Sequence, residues 1–189
     1  MVIVLCGPIA SGKSTLARAV GRLFEREGED AAAIDLDLVY EFFERGSSKA
    51  STPTWRRARR TAAGLTDVLL REGIGVIVIE GDFLTPAERD EYLSALQSAV
   101  VPLFVTVKVS VDIALQRVDQ DPTRGLSRDP AFLLRHYEEL REAMSTRPET
   151  DLVLDTSSVS IDEAARTIVD WATTRAAIKS ESGPATVSP

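Results

Sequence analysis

Eight consecutive residues, Gly7-Pro8-Ile9-Ala10-Ser11-Gly12-Lys13-Ser14, fit the spacing G-x-x-x-x-G-K-[S/T]. Such a loop closes backbone N–H groups around phosphate oxygens, aims a helix N-terminus at their charge and sends one lysine to the β- and γ-phosphates. Gly7, Ala10, Ser11 and Gly12 are the expected backbone donors and Lys13 is the lysine. Ser14 supplies the hydroxyl expected on Mg2+, with Thr15 behind it. Two acidic pairs, Asp35-Leu36-Asp37 and Glu80-Gly81-Asp82, each close a short apolar run. Alternate residues of an extended segment point the same way, so the D-x-D spacing turns both carboxylates to one crevice at a strand end. Asp37 also fits the N-cap of a helical segment over 38–44. Asp121-Pro-Thr-Arg-Gly-Leu-Ser-Arg-Asp-Pro130 adds Arg124 and Arg128, with Arg117 just before it. Its turn formers predict a lid that brings positive charge to a transferring phosphoryl group and excludes water.

These residues need a scaffold that gathers strand ends, and the hydrophobic pattern predicts one. Apolar runs at 2–6, 31–34, 76–79, 103–109 and 152–154 read as strands, the third continuous enough to be buried on both faces. Helical spacing follows each: Leu16, Val20, Leu23 and Phe24 after the loop, then segments over 55–71, 86–98, 111–119, 130–144 and 161–178. The arginines of 56–60 fall on the polar faces of their helix and are expected to be solvated, with Trp55 packing. His136 lies on the flank of its helix and receives no role. Residues 1–178 are expected to form one domain with its lid at about 121–130, and 179–189 a disordered tail.

Composition narrows the function. With 22 Lys and Arg against 29 Asp and Glu, the net charge of −7 disfavours a general nucleic-acid coat. The single cysteine, Cys6, excludes an internal disulfide and reads as a packed thiol. No apolar run approaches 18 residues and no basic leader precedes the first strand, so a cytoplasmic protein without a membrane span is expected.

Strand and helix alternate here with a phosphate loop after the first strand, D-x-D after the second and an arginine-bearing loop before a late helix. That pattern resembles the P-loop small-molecule and nucleotide kinases over about residues 1–178. Within that group it is most similar to shikimate kinase, gluconate kinase, adenylylsulfate kinase and chloramphenicol phosphotransferase. The resemblance implies an α/β, three-layer fold with a five-stranded parallel sheet and a lid. It implies that Asp35 serves the water shell of the metal and Asp37 the acceptor hydroxyl, and that Glu80, like a Walker B acid, helps hold Mg2+. It also places Arg117 against the adenine or phosphates of ATP, Arg124 and Arg128 in the lid, and the turn bearing Asp155 and Ser157 beside the base. Two departures stand out. Glu80-Gly81-Asp82 replaces the Gly-Gly-Gly stretch of shikimate kinase, and the absence of any asparagine removes the N-K-x-D motif of GTPases.

The reading is an ATP- and Mg2+-dependent phosphotransferase acting on a hydroxyl of a small molecule, with no nucleic-acid partner. One alternative is a nucleoside or nucleotide kinase, which the arginines of 56–60 suit. Another is an ATP-binding regulatory module that transfers nothing.

Overall fold

The structure, a computed structural model, describes residues 1–44, 51–122, 126–145 and 151–181. Five parallel strands form one sheet in the order β2-β3-β1-β4-β5: β1 Val2–Cys6, β2 Ala31–Asp35, β3 Val76–Gly81, β4 Leu103–Lys108 and β5 Leu152–Asp155. β1 and β3 are buried along their whole length, as β-branched runs covered on both faces must be.

Helices α1 (Lys13–Arg26) and α7 (Ile161–Glu181) cover one face, where Leu16, Val20, Phe24, Ala165 and Ile168 meet Ile3, Leu5, Val78 and Val105. The other face carries α2 (Leu36–Glu41), α3 (Thr52–Arg71) and α4 (Pro86–Leu93) over Val2, Val4, Ile77 and Ile79. The result is three layers. A smaller cluster joins α5 (Val111–Asp119) and α6 (Pro130–Ser145) to Ile9 and Ala10 of the phosphate loop. A short 3-10 turn, Leu126–Arg128, lies between them. Among the described residues no helix is long and apolar enough to cross a membrane.

The boundaries differ from the sequence expectation in four places. α3 begins at Thr52 rather than Trp55, because Ser51 caps it and Pro53 fits the first turn, where its missing N–H costs nothing. α4 stops at Leu93 rather than near Ser98, because the carboxylate of Asp67 on α3 draws off the chain by accepting from the N–H groups of Gln97 and Ser98, each at 2.9 Å. α2 is capped by Asp35, not Asp37: Asp35 is extended and its Oδ1 accepts from the N–H groups of Asp37 and Leu38 at 2.9 and 3.3 Å. α7 runs to Glu181, into the segment expected to be disordered, and 182–189 lie outside the described residues.

Candidate active site

The phosphate loop joins β1 to α1 at the carboxyl edge of the sheet. α1 starts without a side-chain cap: its N-cap is Gly12, at φ 91°, so the first-turn N–H groups remain for a ligand. Gly7 is required by space, since a Cβ there would stand 2.2 Å from the Val107 carbonyl oxygen. Lys13 Nζ donates to the carbonyls of Gly7 at 2.7 Å and Pro8 at 3.1 Å, folding its charge over the loop. Ser11 Oγ is buried with no hydrogen-bond partner.

The tip of the loop is held from the α5–α6 side. Tyr137 Oη donates to the Ile9 carbonyl at 2.8 Å, and the Ile9 N–H donates to His136 Nε2 at 3.3 Å. Arg117 gives Nη1 to the Ala10 carbonyl at 3.0 Å and Nη2 to the Thr156 carbonyl at 2.6 Å, while Thr156 Oγ1 donates to the Ser11 carbonyl at 2.8 Å. The loop is thus held by side chains of its own fold, which is the preorganisation that phosphate binding needs.

The acidic pairs converge on this loop. Asp35 and Glu80 are partners in the β2–β3 register, and the Ser14 hydroxyl is near enough to the Glu80 carboxylate to favour its ionised form. Burial, then the Asp35 and Asp37 carboxylates, push Glu80 up to about 7 against the opposing pull of Ser14 and Lys13. Asp37 opens to the cleft, yet protein surrounds it closely: burial first, then the carboxylates of Asp82 and Asp35, push it up to about 6. These donors fit Mg2+. The Ser14 hydroxyl beside Glu80, with Asp35 across the strand pair, offers hard oxygens from one edge, and the described residues contain no cage of three or more ligating side chains. Mg2+ that keeps waters and takes phosphate oxygens suits such a partial set.

Two buried arginines fix the turn after β3. Arg59 Nε donates to the Asp82 carbonyl at 2.9 Å while its Nη atoms pair with Glu88 and Glu91 at 2.9 and 2.8 Å. Arg89 Nε donates to the next carbonyl, Phe83, at 2.9 Å, pairs with buried Asp151 at 2.6 Å and lies 4.3 Å over the Phe104 ring. The expectation of a solvated arginine face therefore fails at Arg59, because α3 turns that side toward two glutamates of α4.

One cavity of about 780 Å3 contains the meeting point, lined by loop residues Ile9 to Thr15 together with Asp37, Glu80, Asp82, Trp55, Phe132 and His136. A second, of about 560 Å3, opens at the amino end of the strands around Met1, Gly75 and Val101. Only the first lies at the carboxyl ends, where open parallel sheets take their ligands.

A family model described as an AAA domain matches residues 2–131. The chain belongs to that family. No curated protein sequence matches this AAA-domain chain significantly. Among solved structures it is similar to shikimate kinase from Acinetobacter baumannii in complex with shikimate, at 17% identity and TM-score 0.61, covering 92% of this chain and 93% of that one. It is also similar to the Mycobacterium tuberculosis APS kinase in complex with AMPPNP and APS, at 18% identity and TM-score 0.63, covering 91% and 96%. The Deinococcus radiodurans tunicamycin resistance protein is similar at 16% identity and TM-score 0.60, covering 90% and 94%. The fold of this AAA-domain chain is that of the P-loop kinases.

Among the residues singled out from sequence, Ala10, Ser11, Gly12, Lys13, Ser14, Thr15, Asp37 and Glu80 line the cavity together. Arg117 spends its guanidinium on Ala10 and Thr156. Asp155 accepts from the Ser157 N–H at 2.8 Å and Ser157 Oγ from the Ser110 N–H at 2.8 Å, tying β5 to the start of α5. Arg128 is exposed at the end of the 3-10 turn, and Arg124 lies outside the described residues. Sequence reasoning missed His136 and Tyr137; a histidine next to a tyrosine on a helix gives no local sign of a partner 127 residues away.

Glu80 ties the stability of the fold to pH. Its proton is kept in the fold but lost from the unfolded chain between its ordinary 4.5 and about 7, so its contribution is present at acid pH and lost as pH rises through 7. The melting temperature of nucleotide- and metal-free protein is expected to fall from pH 5.5 to 8, and Glu80→Gln to flatten that fall. An unchanged slope in the variant contradicts the assignment.

Proposed function

We propose that the protein is an ATP-dependent phosphotransferase that moves the γ-phosphoryl group of ATP to a hydroxyl of a small molecule. The observation that carries this reading is that an uncapped helix start, the Lys13 ammonium and the Asp37 carboxyl share one cavity. The first-turn N–H groups and Lys13 hold the β- and γ-phosphates, and Lys13 leaves the carbonyls of Gly7 and Pro8 to do so. Ser14, Glu80 and Asp35 are the residues that would hold Mg2+, which supplies charge neutralisation on the phosphate oxygens. Asp37 orients the acceptor hydroxyl and accepts its proton as the alcohol oxygen bonds to the γ-phosphorus and the bond to the ADP oxygen breaks.

The solved kinases similar in fold support transfer over mere binding, and the paired acids supply what transfer needs. The arginines of 56–60, which suited a phosphate-bearing acceptor, do not line the cavity: Arg59 pairs with Glu88 and Glu91, and Arg56 with Glu91 at 3.1 Å. That favours an acceptor without phosphate. The test is ADP release with pooled alcohols as acceptors. Acceptor-stimulated release is expected; ATP binding without any stimulation leaves the regulatory-module reading standing instead.

A further inference from the structure

Phosphoryl transfer accounts for the loop, for Ser14, Asp35 and Glu80, and for Asp37. It leaves further side chains in the same cavity without a part in the transfer: Asp82, Glu139, Trp55 and Phe132, together with His136, whose Nε2 serves only to hold Ile9. Each lines the cavity and none belongs to the phosphate loop or the metal-binding set. Asp82 is near enough to Asp37 to act on its charge, and Asp82 and Glu139 both act on His136.

Among the described residues the charge of this group is not balanced from within. Among the described residues no hydrogen bond or ion pair reaches the carboxylate of Asp82 or of Glu139. The imidazole that both act on does not compensate, because its Nε2 accepts the Ile9 N–H and so carries no proton. The described cations that line the cavity are Lys13, committed to phosphate, and Arg18, exposed on α1. Placement is firm as well, since buried Arg59 grips the Asp82 carbonyl at 2.9 Å.

Two aromatic rings share this lining, each against a neighbouring ring. Trp55 packs on Tyr40 with ring centres 4.3 Å apart and planes tilted by 36°, and Phe132 lies nearly parallel to His136 at 6.5 Å. Carboxylates beside aromatic faces recognise organic cations, the first by charge and the second through the negative face of the ring. An anionic acceptor meets repulsion on the same surface.

We infer that the acceptor is an amine-bearing alcohol, its ammonium group held between Asp82 and Glu139 against the Trp55 and Phe132 rings while its hydroxyl meets Asp37. The inference rests on the phosphotransferase reading for the role of Asp37, and it extends that reading to the chemical class of the substrate.

The test uses the full chain saturated with AMPPNP and Mg2+, so that the phosphate and metal positions are filled. Three probes of one shape are titrated: benzylamine, benzyl alcohol and benzoate. The readout is the indole N–H resonance of Trp55, with Trp171 on α7 as the internal control. Benzylamine, as its ammonium, is expected to bind about tenfold tighter than benzyl alcohol, with benzoate weakest, and to move the Trp55 signal alone. In the doubly substituted Asp82→Asn, Glu139→Gln protein the ammonium is expected to fall to within about threefold of the alcohol. The inference is overturned if the ammonium does not bind, if the alcohol or benzoate binds as tightly, or if the preference survives both substitutions. Failure of AMPPNP to bind overturns the phosphotransferase reading instead, and the three probes then decide the cation site on nucleotide-free protein.

Discussion

Lys13→Ala is expected to lower phosphoryl transfer by roughly 10²- to 10³-fold or more, the usual loss when one preorganised charge is removed from a developing anion. The fold should survive. Lys13 is half-buried at the mouth of the cavity and takes no part in the three apolar clusters, and its bonds are to two carbonyls of its own loop. Two hydrogen bonds of ordinary net value put the stability loss at about 1–2 kcal/mol. Thermal unfolding and ADP release measured on the same preparation separate the two effects. Near-complete activity in a folded Lys13→Ala protein contradicts the kinase reading, since no other cation of the described loop can take the β- and γ-phosphates.

The parts of this site that were legible in the sequence are those set by local spacing. The loop requires glycines at fixed positions, and Gly7 and Gly12 stand where the Val107 carbonyl and a φ of 91° exclude other residues. Strand-end acids were legible for the same reason: an apolar run followed at once by Asp or Glu places the acid at the carboxyl edge whatever the strand order. Division of labour within Asp35-Leu36-Asp37 was not. Which aspartate caps α2 depends on where the chain turns from extended to helical, a difference of two residues that spacing does not encode.

Longer-range pairings were out of reach. Arg59 looked like one member of a solvated run because its partners, Glu88 and Glu91, lie 29 and 32 residues away and in a separate helix. Arg89 and Asp151 are 62 residues apart, and nothing in either neighbourhood marks them as a buried pair. The same limit hid the grip of α6 on Ile9. The composition held one usable hint: buried arginines need acids, and α4 is rich in them.

Asp37→Asn is expected to reduce turnover by about 10²- to 10⁴-fold, the range of a lost general base, while ATP affinity stays nearly unchanged. The fold makes this substitution clean. Asp35, not Asp37, caps α2, so removing the Asp37 charge sacrifices no cap and relieves its repulsion with Asp82, Asp35 and Glu41. Asp35→Asn should behave differently: asparagine caps about as well as aspartate, so stability holds, while the loss of one charge beside the metal position raises the Mg2+ requirement. The pH profile supplies a second discriminator. A base must be unprotonated to accept, so turnover should fall as pH drops through the value of Asp37. That value is about 6 without metal and lower once Mg2+ offsets the neighbouring carboxylates. In Asp37→Asn that acid limb should disappear along with most of the rate. If turnover in Asp37→Asn instead stays within about threefold of wild type, well short of general-base losses, the proton goes elsewhere. Asp82 is then the candidate to substitute next, as the carboxylate of the same cavity whose charge acts most on Asp37.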